Sequence, residues 1–145
     1  MTRFAKDIVD RILGKEKFKV FLLEDNRLFL ESLKFQLDRS FDGEVEVRAF
    51  QNSKTLKECM SECPDVVVMD YHLDEYSDME GVELIKRLKW SNPSSKLIVL
   101  SCEEKVNVAM QCYEHGVDNF IKKNIDSIRV LMKELIYKRD LVARH

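Results

Sequence analysis

The strongest constraint on the fold is a set of short apolar segments that alternate with segments of helical spacing. Residues 18–23, 66–69 and 97–100 are almost entirely apolar and each stops at a polar residue. Uniformly apolar runs of this length are typical of parallel strands that helices cover on both faces. Residues 45–47 alternate apolar and acidic side chains, as in a half-exposed strand, and residues 117–121 are predicted to form a fifth short strand.

Segments with the spacing of amphipathic helices separate these five predicted strands. Leu30, Leu33 and Leu37 fall at i, i+3 and i+7, and helices are also predicted over 52–62 and 80–90. Two further apolar sets have helical spacing: Val106, Ala109, Met110 and Tyr113, and then Ile125, Ile128, Met132, Leu135 and Ile136. Repeated strand–helix alternation predicts an α/β protein with a five-stranded parallel sheet that is doubly wound.

Composition and charge narrow the classes of function. The chain has 145 residues, the length of one domain, with 24 basic and 26 acidic side chains. The acidic excess lies in residues 18–121, which argues against direct nucleic-acid binding and suits a site for a cation. No apolar run approaches the roughly 20 residues that a bilayer-spanning helix needs. We therefore expect a soluble, cytoplasmic protein with no membrane contact.

Polar side chains stand where the predicted strands end. In doubly wound sheets the ligand site lies beyond the carboxyl ends of the strands. The residues at these ends are Glu24, Asp25, Asp70, Ser101 and either Lys122 or Lys123. Clustered carboxylates suit Mg²⁺, and a hydroxyl and an ammonium can hold the outer oxygens of a phosphoryl group. A carboxylate can also accept that group as an aspartyl phosphate.

With these residues in place, the sequence resembles the receiver domains of two-component response regulators, in particular the chemotaxis-regulator type. The resemblance rests on four segments in the family's order, at 24–25, 66–70, 97–101 and 116–123. It implies a flavodoxin-like (βα)5 fold, a receiver domain over 18–142 and an N-terminal extension over 1–17.

The resemblance also implies roles for individual residues. Asp70 matches the phosphoacceptor, and Mg²⁺ is expected at Glu24, Asp25, Asp70 and the backbone carbonyl of His72. Ser101 and Lys123 match the residues that bind the phosphoryl group. Ser101 and Phe120 match the pair that moves when the acceptor is phosphorylated.

Three features depart from the family's pattern or extend it. Gly81 lies eleven residues past Asp70, so the intervening loop over 71–80 is longer and more acidic than usual and lacks proline. Asn124 replaces the proline that often follows the lysine. In the extension, Phe4, Ile8, Ile12 and Leu13 share one face of a predicted amphipathic helix, which packs on its own domain or mediates a homodimer or partner contact.

The function that follows is a phosphorylation-dependent signalling switch. A histidine kinase or phosphotransfer protein would phosphorylate Asp70, and the change would reach a downstream protein or output domain through residues 104–142. Beyond its own phosphotransfer and slow self-dephosphorylation, no enzymatic activity is expected. Two alternatives are a small Mg²⁺-dependent aspartyl-phosphate phosphatase and a pseudo-receiver that binds partners without phosphorylation. Against the phosphatase, His72 stands two residues past Asp70, where such an enzyme needs a second aspartate.

Overall fold

The computed structural model describes residues 17–72, 81–102 and 106–143, and before them residues 2, 5, 8, 9 and 12–14. Five strands alternate with five α-helices within this part of the chain, and a 3-10 turn, Met60–Glu62, extends the second helix. The elements are β1 (Phe18–Leu23), α1 (Arg27–Phe41), β2 (Val45–Phe50), α2 (Ser53–Cys59), β3 (Val66–Asp70), α3 (Gly81–Ser91), β4 (Lys96–Ser101), α4 (Val106–Glu114), β5 (Asn119–Lys122) and α5 (Ser127–Ala143).

The five strands form one parallel sheet in the order β2-β1-β3-β4-β5. Helices cover both faces, as the sequence predicts for a doubly wound sheet. One face buries apolar residues of α1 and α5, namely Leu30, Leu33, Leu37, Leu131 and Leu135. The other face buries residues of α2, α3 and α4, namely Leu56, Leu84, Ile85, Leu88 and Cys112. The chain reverses its direction of winding beside β1, so the carboxyl ends of β1 and β3 meet at the switch point.

Asparagine side chains fix the starts of the first two helices. Asn26 is the N-cap of α1, and its side chain accepts a hydrogen bond from the backbone N–H of Phe29 at 3.0 Å. Asn52 caps α2 in the same way through the N–H of Thr55. The predicted helix over 52–62 therefore begins as expected, but it tightens into the 3-10 turn after Cys59.

Two predictions near β5 are wrong, and local hydrogen bonds explain both. The strand begins at Asn119 rather than at residue 117. The N–H of Asp118 donates to the carbonyl of Leu97 at 2.9 Å, but the N–H of Leu97 donates to the Asp118 carboxylate at 2.9 Å, so a side-chain acceptor serves one of the two bonds here. Ile125, placed by its spacing on the apolar face of the last helix, is 98% exposed. Asn124 accounts for this, because its side chain and carbonyl accept bonds from the next turn and direct Ile125 outward.

The face of α4 formed by Val106, Met110 and Tyr113 has the predicted spacing, but these side chains are exposed. Cys112 is the α4 residue that is buried in the core. The apolar set that the sequence identifies on this helix therefore lies on the protein surface rather than against the sheet.

The N-terminal extension stays a prediction. Phe4 lies outside the described residues, while Ile8 and Ile12 are exposed and the N–H of Leu13 bonds to the carbonyl of Val9 at 2.9 Å. The division into 1–17 and 18–142 likewise stays a prediction. Among the described helices, none has the length and apolar character needed to span a bilayer.

Candidate functional site

Three carboxylates meet at the carboxyl ends of β3, the central strand, and of its neighbour β1. Glu24 and Asp25 directly follow β1, and Asp70 is the last residue of the adjacent β3. One carboxylate oxygen from each of the three lies within 4.8 Å of the others. Glu24 and Asp70 are 3% and 8% exposed, so the cluster is largely shielded from water. The strand-end prediction is therefore correct for these three residues.

Lys123 brings an ammonium group into this cluster. Its Nζ atom lies 2.9 Å from Oε1 of Glu24 and 3.4 Å from Oδ2 of Asp70. The backbone N–H of Lys123 donates to the carbonyl of Ser101 at 2.8 Å, which extends the β4–β5 pairing and directs the side chain toward the site. Lys122, the alternative at this strand end, is exposed. The structure thus assigns the position in the site to Lys123.

Burial and charge shift two pKa values in the site. Desolvation and the neighbouring Asp70 raise the pKa of Glu24 from 4.5 to about 7, although the hydrogen bond from Lys123 acts in the opposite direction. Burial alone would lower the pKa of Lys123, but the hydrogen bond to Glu24 and the charge of Asp70 raise it overall. The lysine therefore remains protonated, while Glu24 exchanges a proton near neutral pH.

The cluster fits a divalent cation. Oε2 of Glu24 is buried and has no hydrogen-bond partner among the described residues, which is costly for a carboxylate oxygen. A cation beside it would satisfy this oxygen and would offset the repulsion between three acids. Carboxylate oxygens are the hard ligands that Mg²⁺ and Ca²⁺ take in proteins. The acidic cluster of Glu24, Asp25 and Asp70 is thus a candidate metal site.

The family comparison agrees with this geometry. Residues 20–135 match the family model of the response regulator receiver domain. The chain belongs to the receiver-domain family of response regulators. It is a module of two-component signalling, in which receiver domains act as phosphorylation-dependent switches and interact with kinases and output domains. The resemblance stated from the sequence is confirmed.

Relatives of this receiver domain include free-standing and longer proteins. The chemotaxis protein CheY of Listeria monocytogenes is 26% identical over 76% of this chain and 90% of its own length. The transcriptional regulator NtrC of Proteus hauseri is 27% identical over 77% of this chain, but the match covers 22% of its length. The match to the cyclic di-GMP phosphodiesterase of Thermotoga maritima covers 31% of that protein's length. The chain therefore spans less than a third of these two longer relatives.

Solved structures share the fold. A CheY-like receiver domain from Methanospirillum hungatei superposes with a TM-score of 0.76 at 23% identity, covering 89% of this chain and 98% of the other. A beryllofluoride-activated DrrB receiver domain gives a TM-score of 0.71 at 18% identity, covering 86% and 99%. These likenesses confirm the flavodoxin-like arrangement of five strands and five helices.

The remaining predicted site residues lie around the acids of the receiver domain. The backbone N–H of His72 donates to Oδ1 of Asp70 at 3.1 Å, and the His72 side chain is exposed. Ser101 is fully buried at the end of β4, next to the residue that pairs with Asp70. Phe120 is half-buried and packs against the core, and its N–H donates to the Tyr113 hydroxyl at 3.1 Å. The functional roles of these residues stay predictions.

Two features near the site were missed from the sequence. The ring centroid of Phe29 lies 4.4 Å from Nζ of Lys123, a cation–π contact that sequence spacing gives no way to anticipate. Gly81 opens α3 against Tyr71, since a Cβ at this position would lie 2.8 Å from the Tyr71 carbonyl oxygen. The unusual spacing between Asp70 and Gly81 was the sequence signal that pointed to an altered structure at the start of α3. Most of the long loop, residues 73–80, lies outside the described part of the chain.

Proposed function

We propose that Asp70 is the phosphoacceptor of this receiver domain and that a histidine kinase or a phosphotransfer protein is its donor. The observation that carries the proposal is the position of Lys123, whose ammonium lies 3.4 Å from Oδ2 of Asp70 at the switch point of the sheet. A cation held beside a buried carboxylate is suited to stabilising charge that develops when a phosphoryl group transfers to that carboxylate.

In the proposed reaction, a carboxylate oxygen of Asp70 attacks the phosphorus atom of a phosphohistidine. A P–O bond forms as the P–N bond breaks, and the bonding electron pair returns to the imidazole nitrogen, which takes a proton from solvent. The N–H of His72 holds Oδ1 of Asp70 at 3.1 Å and orients the carboxylate. Lys123 and Ser101 would then hold the outer phosphoryl oxygens.

The metal proposed for this site is Mg²⁺. Glu24, Asp25, Asp70 and the backbone carbonyl of His72 would hold it, with Glu24 acting through a water molecule. When bound, Mg²⁺ supplies positive charge that offsets the acids and the incoming phosphoryl group. The unpartnered Oε2 of Glu24 supports this assignment, because a hydrated cation would give that buried oxygen a partner.

Phosphorylation would be transmitted through Ser101 and Phe120 to the surface over residues 104–142, of which 106–142 are described. The hydrogen bond from the Phe120 N–H to Tyr113 links β5 to α4, and the apolar face of α4 is already exposed. A shift between two arrangements of this surface would change the affinity for a downstream protein or output domain. Self-dephosphorylation would return the domain to its resting state.

The test is intact mass spectrometry after incubation with acetyl phosphate and Mg²⁺. We expect one added phosphoryl group on the wild type and none on Asp70→Asn. Asp38→Asn, which changes a carboxylate far along α1, is the matched control and should behave as the wild type. A folded protein that takes up no phosphoryl group would favour the pseudo-receiver. Repeated turnover of small phosphate esters would favour the phosphatase.

A further inference from the structure

We infer that Phe29 is a positioning residue for Lys123, and this inference rests on the proposed role of Lys123 in phosphoryl binding. The ammonium of Lys123 lies 4.4 Å from the centre of the Phe29 ring, a distance at which a cation is attracted to the ring face. The Lys123 side chain is 14% exposed, so little water screens this attraction. The Lys123 ammonium thus has an aromatic partner in Phe29 besides its two carboxylate partners, Glu24 and Asp70.

Phe29 is itself held firmly. Its backbone N–H donates to the capping side chain of Asn26 at 3.0 Å, which fixes the first turn of α1. Its side chain packs against the core cluster that contains Leu30 and Leu33. Asn26 directly follows Asp25, so one short segment carries both an acid of the site and the aromatic ring that contacts Lys123.

The aromatic ring attracts the Lys123 ammonium without occupying any of its N–H donors. The ammonium has three N–H donors and no acceptor, and two of its partners are Glu24 Oε1 and Asp70 Oδ2. A polar neighbour in place of Phe29 would compete for the remaining donor. The ring of Phe29 offers attraction and excludes water, which leaves that donor for a phosphoryl oxygen. Phe29 therefore keeps the flexible Lys123 side chain near Asp70 and leaves the ammonium able to bind a phosphoryl oxygen.

The alternative explanation is that Phe29 only fills space in the core. Three variants separate the two roles. Phe29→Leu keeps an apolar side chain but removes the ring, Phe29→Tyr keeps the ring, and Phe35→Leu removes an exposed ring from the same helix. Phe35 is 63% exposed and belongs to neither core cluster, so its replacement should leave the site unchanged.

The experiment measures the rate of phosphorylation by acetyl phosphate with saturating Mg²⁺. Phe29→Leu should slow it about three- to tenfold, the effect expected from losing one partly shielded cation–π contact. Phe29→Tyr and Phe35→Leu should retain the wild-type rate. A second readout is the NMR shift of the Lys123 ε-methylene protons, which the ring current should move upfield in the wild type and Phe29→Tyr but not in Phe29→Leu.

The outcomes separate this inference from the proposed function. A wild type that takes up no phosphoryl group would overturn the proposed function, and the Lys123 shifts would still decide whether Phe29 holds the lysine. Equal rates for wild type and Phe29→Leu would overturn the inference alone. The inference would also be overturned if Phe29→Tyr slowed phosphorylation as much as Phe29→Leu does. Phe29→Tyr retains the ring, so loss of the cation–π contact could not be the cause.

Discussion

Burial of Glu24 gives the metal-free protein a specific dependence of stability on pH. The folded state raises the pKa of this carboxyl from 4.5 to about 7, so it binds a proton more tightly than the unfolded chain does. Where the folded state binds more protons, the free energy of unfolding falls as pH rises. The loss should begin near pH 4.5 and be complete a little above pH 7. The perturbation that isolates this group is Glu24→Gln, which keeps the shape of the side chain but cannot ionise.

The size of the effect follows from the shift. A change from 4.5 to about 7 corresponds to roughly 3 kcal/mol of stability that the wild type loses across this pH range. Glu24→Gln should lack this loss, so its free energy of unfolding relative to wild type should rise by up to roughly 3 kcal/mol between pH 5 and pH 8. Saturating Mg²⁺ should reduce the difference, because a bound cation stabilises the ionised carboxylate.

The assay is urea unfolding at several pH values in the presence of a chelator. Glu31→Gln is the matched control, since Glu31 is an exposed acid on α1 whose replacement should leave the pH dependence of the wild type intact. Groups away from the substituted side chains titrate alike in all three proteins, so their contribution cancels in the comparison. If Glu24→Gln loses stability with rising pH as steeply as wild type does, burial does not raise the pKa of Glu24 and the electrostatic reasoning is refuted.

Three further substitutions test other contacts of the fold. Tyr113→Phe removes the hydroxyl that accepts the Phe120 N–H, so hydrogen exchange at that amide should accelerate by about fivefold, and an unchanged exchange rate would show that the bond is not formed in solution. Gly81→Ala would place a Cβ 2.8 Å from the Tyr71 carbonyl oxygen, so it should lower the free energy of unfolding by about 1–3 kcal/mol in urea titrations. Wild-type stability in this variant would show that the backbone relieves the close approach without cost. Leu84→Ala should cost about 2–5 kcal/mol in the same assay because Leu84 is fully buried, and a loss under about 1 kcal/mol would contradict its place in the core.

The fold was predictable because strands that are buried on both faces have a simple apolar sequence pattern. The strands β1, β3 and β4 are apolar at nearly every position, and their boundaries in the structure match the predicted ones to within one residue at either end. At β5 the pattern is weaker, and the start of the strand depends on the contact between Asp118 and Leu97 from another part of the chain. Ile125 was misplaced for a related reason, since its spacing fits a helix while the Asn124 turn keeps it outside.

The site was predictable to the extent that topology determines it. Parallel strands in a doubly wound sheet bring their carboxyl ends together, so topology assigns Asp25, Asp70 and one of the two lysines Lys122 and Lys123 to one place without side-chain geometry. The resemblance to receiver domains then selects Lys123. Contacts that depend on the orientation of a helix about its own axis could not be predicted from topology. Phe29 has the same sequence pattern as any core residue of α1, and its contact with Lys123 depends on the cap at Asn26 and on the packing of the helix.

The charges of the site explain why an aromatic contact is useful to Lys123. Three carboxylates face one ammonium, and in the metal-free protein Lys123 bonds to Glu24 and Asp70. A divalent cation would take over part of that role, which weakens the hold of the acids on the lysine. Phosphorylation would then give the remaining N–H donor of the ammonium a phosphoryl oxygen to bind. The Phe29 ring binds neither metal nor phosphate, so it competes with neither of them for the ammonium. Of the three partners of Lys123, Phe29 is thus the one that can stay constant while the other two change.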